Sequence, residues 1–464
     1  MDFIGRQADL AFLETCFAKQ EAQLVVLYGR RRVGKTECLR QFSHNKSCIW
    51  YSCTKDTDAL QLRGFSRRIL AHIPSLARHL STFDTWQDAL ESIPDTDIPE
   101  KKLVIIDEFP YAASGNAALP SILQNVWDET LSRANVMIVL CGSSISFMED
   151  ELLSEKNPLY GRATGVWKME PLSFSEARGF FPMLSPQQQL ETYGILGGIP
   201  HYLKQFDPQL GIDENVRRNI LSRGCALYSE VDFMLRQELR EPAVYNAVLS
   251  AVAAGETSLN GIAQKALVDA RTAQTYLHKL LELRIVRREF SVQAGQQERT
   301  KQGRGLWRIE DSFVAFWYAA VLPWLSELDA GDVEEVWAQE IKPSLNNILA
   351  TPFENVCLQW ITNGNGRKSV PFRLQSIGRW WNKTEEIDIV GLGRDKQRLL
   401  CECKFKNSPV GPSLLAQLRE KERANFPVGQ STFWLFSKSG FSDDGAWAAG
   451  LSDVRLIGPE ELTA

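Results

Sequence analysis

Leu24-Val25-Val26-Leu27-Tyr28-Gly29-Arg30-Arg31-Arg32-Val33-Gly34-Lys35-Thr36 is the stretch that decides how this chain folds. Its apolar run has the length of a buried strand. GRRRVGKT then follows the spacing GxxxxGK[ST], and residues 36–42 continue at helical period. Gly29 and Gly34 let the backbone turn its N–H groups toward phosphate oxygens, and the helix that follows adds partial positive charge at its N-terminus. Lys35 is spaced for the β and γ phosphates, and Thr36 for a hydroxyl ligand to Mg²⁺. The stretch is a P-loop, so ATP and Mg²⁺ are the expected cofactors. Candidate nucleotide contacts are Gly29, Arg30, Arg31, Arg32, Val33, Gly34, Lys35, Thr36 and Glu37. The three arginines have two readings, contact with phosphate or a partner, and loop side chains that face water.

Upstream, Leu10, Leu13 and Phe17 recur at helical spacing behind Gly5-Arg6, where Arg6 is either a phosphate or adenine-side contact or a structural cap. Downstream, residues 48–53 form a second strand pattern. Leu103-Val104-Ile105-Ile106-Asp107-Glu108 is an apolar strand closing on two acids. Asp107 is expected to hold Mg²⁺ through water and Glu108 to polarise the attacking water as general base. The strand at residues 136–142 ends in Ser143-Ser144. Either serine could sense the γ-phosphate from between the two acid- and phosphate-bearing strands, or mark a plain turn. Arg162 could stabilise transition-state charge, in cis or across a subunit contact, or form an ordinary ion pair. Residues 166–174 are expected as a last strand, and Gly197-Gly198-Ile199-Pro200 as a hinge between core and lid. Strands alternating with helices imply a parallel sheet covered on both faces, with nucleotide at the strands' carboxyl ends.

At 464 residues the chain is long enough for two to four domains, and 44% hydrophobic with 23% charged residues excludes a disordered or fibrous protein. A formal charge of −5 means that any nucleic-acid binding must come from a local basic patch. Nine cysteines without a CxxC pair, and an N-terminus without a signal-peptide pattern, predict a cytoplasmic protein. No apolar run approaches the ~20 residues that span a bilayer, and no lipidation signal is seen, so no membrane partner is expected.

YGRRRVGKT, IIDEFP, CGSS, PLYGR with PLSFSEA, and GGIP follow one another in the chain. With these motifs most of residues 1–340 resemble the archaeal-type P-loop ATPases, relatives of the AAA+ and STAND groups that also occur in bacteria. The resemblance implies ATP-dependent conformational switching, with the GGIP segment and a winged helix as the moving part.

Three helical patterns run in succession from residue 242, the third behind Asp269 as a natural N-cap, and two strand patterns at residues 285–290 and 305–309 follow as a wing. If this winged helix reads DNA, Arg271, Thr272, Gln274, Thr275 and Lys279 are its exposed recognition residues. Residues 278–308 carry eight Lys and Arg against three Glu, a positive patch on an acidic chain. The competing reading is a winged helix that only packs on the nucleotide domain. Residues 310–318 form an aromatic helix, read as a core or interdomain anchor rather than a base-stacking platform.

The tail has its own acids. Glu354 lies in a helix that Pro352 opens, Asp388 on an alternating strand, and Glu402 and Lys404 on one face of the next. Asp388 and Glu402 could hold Mg²⁺ beside a phosphodiester, with Lys404 orienting water and Glu354 adding a ligand. Here the chain resembles the PD-(D/E)XK nuclease superfamily, in the form found at the carboxyl end of these same ATPases, although Ile387 stands where that motif carries proline. Cys401 and Cys403 face away from Glu402 and read as packed rather than zinc-bound.

The expected architecture is therefore α/β. A P-loop NTPase parallel-sheet core at 1–195 and a helical lid or hinge at 196–240 come first. A winged helix at 241–326 and a nuclease-like domain at 340–464 follow. The expected function is an ATP-hydrolysing switch coupled to a DNA-acting nuclease-like tail, and the alternative is a nucleotide-controlled DNA-binding regulator or scaffold without cleavage. A homo-oligomer or protein partner is compatible with both.

Overall fold

The computed structural model describes residues 3–155, 157–239, 242–295, 299 and 305–463. The chain divides into two compact units, Met1–Leu172 with Ile199–His201, and Ser173–Gly198 with Tyr202–Ala464.

The first unit is built on a five-stranded parallel sheet of β1 (Gln23–Tyr28), β2 (Cys48–Ser52), β3 (Lys102–Asp107), β4 (Val136–Gly142) and β5 (Gly165–Lys168), in the order β2-β3-β4-β1-β5. Every residue of β1 and β4 is buried, as a sheet covered on both faces requires. Alternation sends Val25, Leu27, Leu103, Ile105, Met137 and Val139 to one face, against Leu13 of helix α1 (Gln7–Phe17) and Leu39 and Phe42 of α2 (Lys35–Ser43). Leu24, Val26, Val104, Ile106, Ile138 and Leu140 point to the other, against Phe65 and Ile69 of α3 (Asp58–Leu70) and Leu123 and Trp127 of the helix Leu119–Glu129. Each such large side chain contributes about 1.5–3 kcal/mol on burial.

The strand order puts β4 between β1 and β3, so the loops that leave these three strands meet at one edge. β5 is shorter than expected and ends at Lys168. Pro171 follows, and then Ser173, whose N–H and hydroxyl both donate to Glu176 Oε2, starts a helix at Phe174 instead.

In the second unit, helices Pro242–Ala253, Leu259–Lys265 and Ala270–Glu282 are followed by an antiparallel pair, β6 (Val286–Glu289) and β7 (Leu306–Ile309). Asp269 caps the third helix, accepting from the Thr272 N–H at 2.9 Å. Residues 296–298 and 300–304 of the basic stretch lie outside the described residues. Asp311 caps the aromatic helix Ser312–Phe316, and Phe313, Phe316, Trp317 and Tyr318 are buried, so these rings form core.

The tail sheet has the order β12-β11-β10-β9-β8, from β8 (Ser376–Trp381), β9 (Glu386–Leu392), β10 (Gln397–Lys404), β11 (Gln430–Ser437) and β12 (Val454–Ile457). β8, β9 and β10 are antiparallel neighbours, whereas β10, β11 and β12 run parallel. Pro352 does not open a helix. It sits inside the helix Lys342–Thr362, which the burial of Leu349, Phe353, Val356 and Cys357 holds together across the lost N–H. Among the described residues no helix is long and apolar enough to cross a membrane.

Candidate functional site

At the edge where β1, β3 and β4 end, the loop between β1 and α2 wraps back on itself. Gly29 must be glycine, because a Cβ there would stand 2.3 Å from the Met169 carbonyl oxygen. Arg32 and Gly34 adopt positive φ of 68° and 97°, which turns successive N–H groups inward. A Cβ on Gly34 would also touch Pro200 Cγ at 3.6 Å, so the proline of the GGIP segment, which belongs to this unit, packs on the loop. The buried Arg6 guanidinium donates to the carbonyls of Val33 (2.5 Å) and Glu170 (2.7 Å), and holds the loop from beneath.

Lys35 is buried, with Nζ donating to the carbonyls of Gly29 (2.8 Å) and Arg30 (3.0 Å). Burial pushes its pKa down, opposed by Cys141, Glu108 and Asp107. Thr36 Oγ1 donates to Asp107 Oδ2 at 2.9 Å, so the hydroxyl and the carboxylate sit side by side. Glu108 lies in the left-handed region, with φ 54° and ψ 43°. Its Oε2 accepts from the Ser143 hydroxyl at 2.8 Å and the Ser143 N–H at 3.2 Å. Loop, acid pair and serine therefore come together. Arg31 donates to the Tyr111 hydroxyl at 2.8 Å, and Glu37 is exposed beside Arg40. Arg162 pairs with Asp128 through Nε (3.3 Å) and a terminal nitrogen (3.0 Å).

The residues fit a magnesium nucleotide. An apposed hydroxyl and carboxylate would supply two oxygen ligands, and a buried ammonium that donates to the Gly29 and Arg30 carbonyls lies in the loop that would take anionic oxygens.

In the tail, the β9–β10 register sets Cys401 opposite Ile389 and so brings Glu402 beside Asp388. Asp388 Oδ2 accepts from the Cys403 N–H at 2.8 Å and lies 3.8 Å from Lys404 Nζ. Lys404 Nζ donates to Glu402 Oε2 at 2.7 Å. Burial, and then the neighbouring Glu402 charge, push Asp388 up to about 6. Burial would raise Glu402 too, but Lys404 and Lys421 outweigh it and hold it low. For Lys404 burial acts downward, and the two carboxylates carry its pKa up.

Lys421 is the residue that sequence reasoning missed. From the helix Ser413–Asn425 its Nζ reaches Glu402 Oε1 at 2.6 Å and the Glu386 carbonyl at 2.8 Å. The only signal was its place one turn beyond the buried Leu414, Leu415 and Leu418.

Glu354 has a different partner. It pairs with the buried Arg379 of β8, whose guanidinium also lies 3.6 Å from Glu289 and 3.8 Å from Glu386. Glu289 in turn takes Arg308 at 2.7 Å and Arg287 at 3.3 Å, so two cations of the basic patch are spent on an internal carboxylate. On the helix Ala270–Glu282, Arg271 and Thr275 are exposed, whereas Thr272 joins the cap and Lys279 pairs with Glu282.

All nine cysteines are free, with Cys401 and Cys403 buried. Among the described residues no group of three or more His, Cys, Asp and Glu side chains is placed to hold a metal.

A parallel sheet with a phosphate-binding loop after its first strand, and an acid pair at the end of β3 on the far side of β4, defines a P-loop ATPase unit. The chain belongs to the archaeal P-loop ATPase family. A profile described as an ATPase domain predominantly from Archaea matches residues 3–206, and one described as archaea bacterial proteins of unknown function matches residues 317–424. The uncharacterized protein MJECL04 of Methanocaldococcus jannaschii is 31% identical over 408 residues, which are 87% of this chain and 88% of that protein. The uncharacterized ATP-binding protein MJ0423 of the same organism is 48% identical over 44 residues, 10% of this chain and 75% of that protein. Among solved structures, the Walker-type ATPase PABY2304 of Pyrococcus abyssi shares the fold. It has a TM-score of 0.50 and 18% identity, over 68% of this chain and 96% of that one.

Proposed function

We propose that the protein is an ATP-hydrolysing switch whose second unit carries a DNA-contacting winged helix and a metal-dependent, nuclease-like tail. The observation that carries the ATPase part is the 2.9 Å approach of Thr36 to Asp107 beside the buried Lys35. When bound, ATP supplies the phosphoanhydride and Mg²⁺ the charge that neutralises its β and γ oxygens. Lys35, the loop amides and Arg30, Arg31 and Arg32 bind the phosphates. Thr36 and Asp107 would hold the metal. Glu108 would accept the proton of the attacking water, and the Ser143 hydroxyl and N–H, which hold the Glu108 carboxylate, are the donors for which a γ-phosphate oxygen would compete. Arg162 adds positive charge only after leaving Asp128.

For the tail, the apposition of Asp388, Glu402 and Lys404 supports a two-carboxylate metal site with a lysine to orient water, and Glu354 would join it by leaving Arg379. Three helices followed by an antiparallel pair support the winged-helix reading, with Arg271 and Thr275 as exposed contacts. The alternative, a regulator that binds without cutting, has one observation in its favour: both Glu402 oxygens are taken by lysines.

The first of two assays tests the ATPase part, and the second separates the two readings of the tail. Glu108→Gln should bind ATP and hydrolyse it at least about a hundredfold more slowly. Single- and double-stranded DNA should be cut with Mg²⁺ or Mn²⁺ by the wild type and not by Asp388→Ala. DNA binding without cleavage selects the regulator.

A further inference from the structure

We propose that Lys421 is an exchangeable cation of the tail site, one that occupies Glu402 in the absence of metal and binds a backbone phosphate of DNA once a divalent ion is present. The proposal rests on the reading of Asp388 and Glu402 as metal ligands.

Two carboxylates and two ammonium groups share the site, and the two lysines differ in how they are held. Lys404 rises from β10 itself, between Glu402 Oε2 at 2.7 Å and Asp388 Oδ2 at 3.8 Å, so it faces both carboxylates at once. Lys421 comes from a helix and crosses to the sheet by the full length of its stem. It meets one carboxylate oxygen, Glu402 Oε1 at 2.6 Å, and one carbonyl, Glu386 O at 2.8 Å.

Glu402 is buried with both oxygens bonded to cations, so its charge is already neutralised. A divalent ion sharing this carboxylate places a double positive charge next to both ammonium groups. Lys421 is the one to leave, because it is held by one carboxylate and one neutral carbonyl whereas Lys404 faces both carboxylates. The helix is anchored by Leu414, Leu415 and Leu418 in the tail core, so the released ammonium stays within reach of the site. An ammonium held there matches a phosphodiester oxygen, which it meets as a point charge. Lys421 thus opposes metal binding when DNA is absent and supports DNA binding when metal is present.

The test uses the full chain without nucleotide and Lys421→Met, which keeps the stem and removes the charge. Mn²⁺ alone is titrated by calorimetry, with Asp388→Asn as the blank. Random-sequence duplex DNA is then titrated by fluorescence anisotropy in Ca²⁺ over a range of salt. Lys421→Met should bind Mn²⁺ about tenfold more tightly than the wild type. It should bind DNA about tenfold more weakly, with a log–log salt slope shallower by about one. Lys421→Arg should restore DNA binding. Mn²⁺ affinity in Lys421→Met at or below the wild-type value, or unchanged DNA affinity, overturns the proposal. Mn²⁺ heat that Asp388→Asn abolishes and Lys421→Met leaves unchanged rejects the role of Lys421 alone, whereas equal heat in the wild type and Asp388→Asn rejects the metal site beneath it.

Discussion

Asp388 should make the tail less stable as pH rises, and Asp388→Asn should remove that dependence. Its carboxyl is buried beside Glu402, which pushes it up to about 6 from an ordinary value near 3.8. Between those two values the folded state holds a proton that the unfolded chain has lost, so stability falls with rising pH across the window. The whole effect is on the order of 3 kcal/mol, at 1.36 kcal/mol per pKa unit, and about 1 kcal/mol of it falls between about pH 5 and pH 7.5. Asparagine keeps an oxygen for the Cys403 N–H and carries no charge to desolvate. Hydrogen exchange read by mass spectrometry on β9 and β10 peptides, corrected for intrinsic exchange, gives the local opening free energy at both pH values. The wild type should lose about 1 kcal/mol more than the variant between them. Equal losses, or a wild type that gains stability as pH rises, would refute the assignment of Asp388 as a buried carboxyl strained by its neighbour.

Other outcomes follow from the same geometry. Gly29→Ala drives a Cβ to 2.3 Å from the Met169 carbonyl, so it should cost about 1–3 kcal/mol in the first unit and weaken ATP binding, both visible in thermal melts with and without nucleotide. Ser143→Ala removes a charge-assisted hydrogen bond from Glu108 worth about 1.5–3 kcal/mol. Turnover should change while ATP affinity stays within about twofold, and steady-state kinetics will separate the two. Arg379→Met takes a shared cation from the half-buried Glu289 and Glu354, and Glu289 keeps Arg287 and Arg308, so exchange protection of β8 should fall by about 1–3 kcal/mol.

How much of this could be read from the chain depended on whether the signal was local. The P-loop, the acid-ended strand β3 and the alternating strand around Asp388 each carry their pattern within about eight residues, and each lies where its pattern put it. Strand alternation also placed Glu402 and Lys404 on one face, and the N-cap preference of aspartate placed Asp269 at a cap. Local pattern failed where tertiary packing or a distant partner decided. Residues 166–174 look like one strand, yet Pro171 and the Ser173–Glu176 capping box end it at Lys168. Pro352 looks like a helix start, yet apolar contacts on both sides of it carry the helix through. The basic count over residues 278–308 could not reveal that Glu289 absorbs Arg287 and Arg308, nor that Arg379, seventy residues or more away from that strand, binds the same carboxylate. Lys421 escaped notice for the same reason, since its partner lies on another element.

The central claim is that a triphosphate binds in the loop between β1 and α2. Calorimetric titration of the full chain with a non-hydrolysable ATP analogue and Mg²⁺, beside Lys35→Ala, tests it most directly. One site per chain is expected, with an affinity at least about tenfold lower in the variant, because the buried ammonium that would meet the phosphates is gone. No binding heat in the wild type, or the same affinity in both proteins, would contradict it.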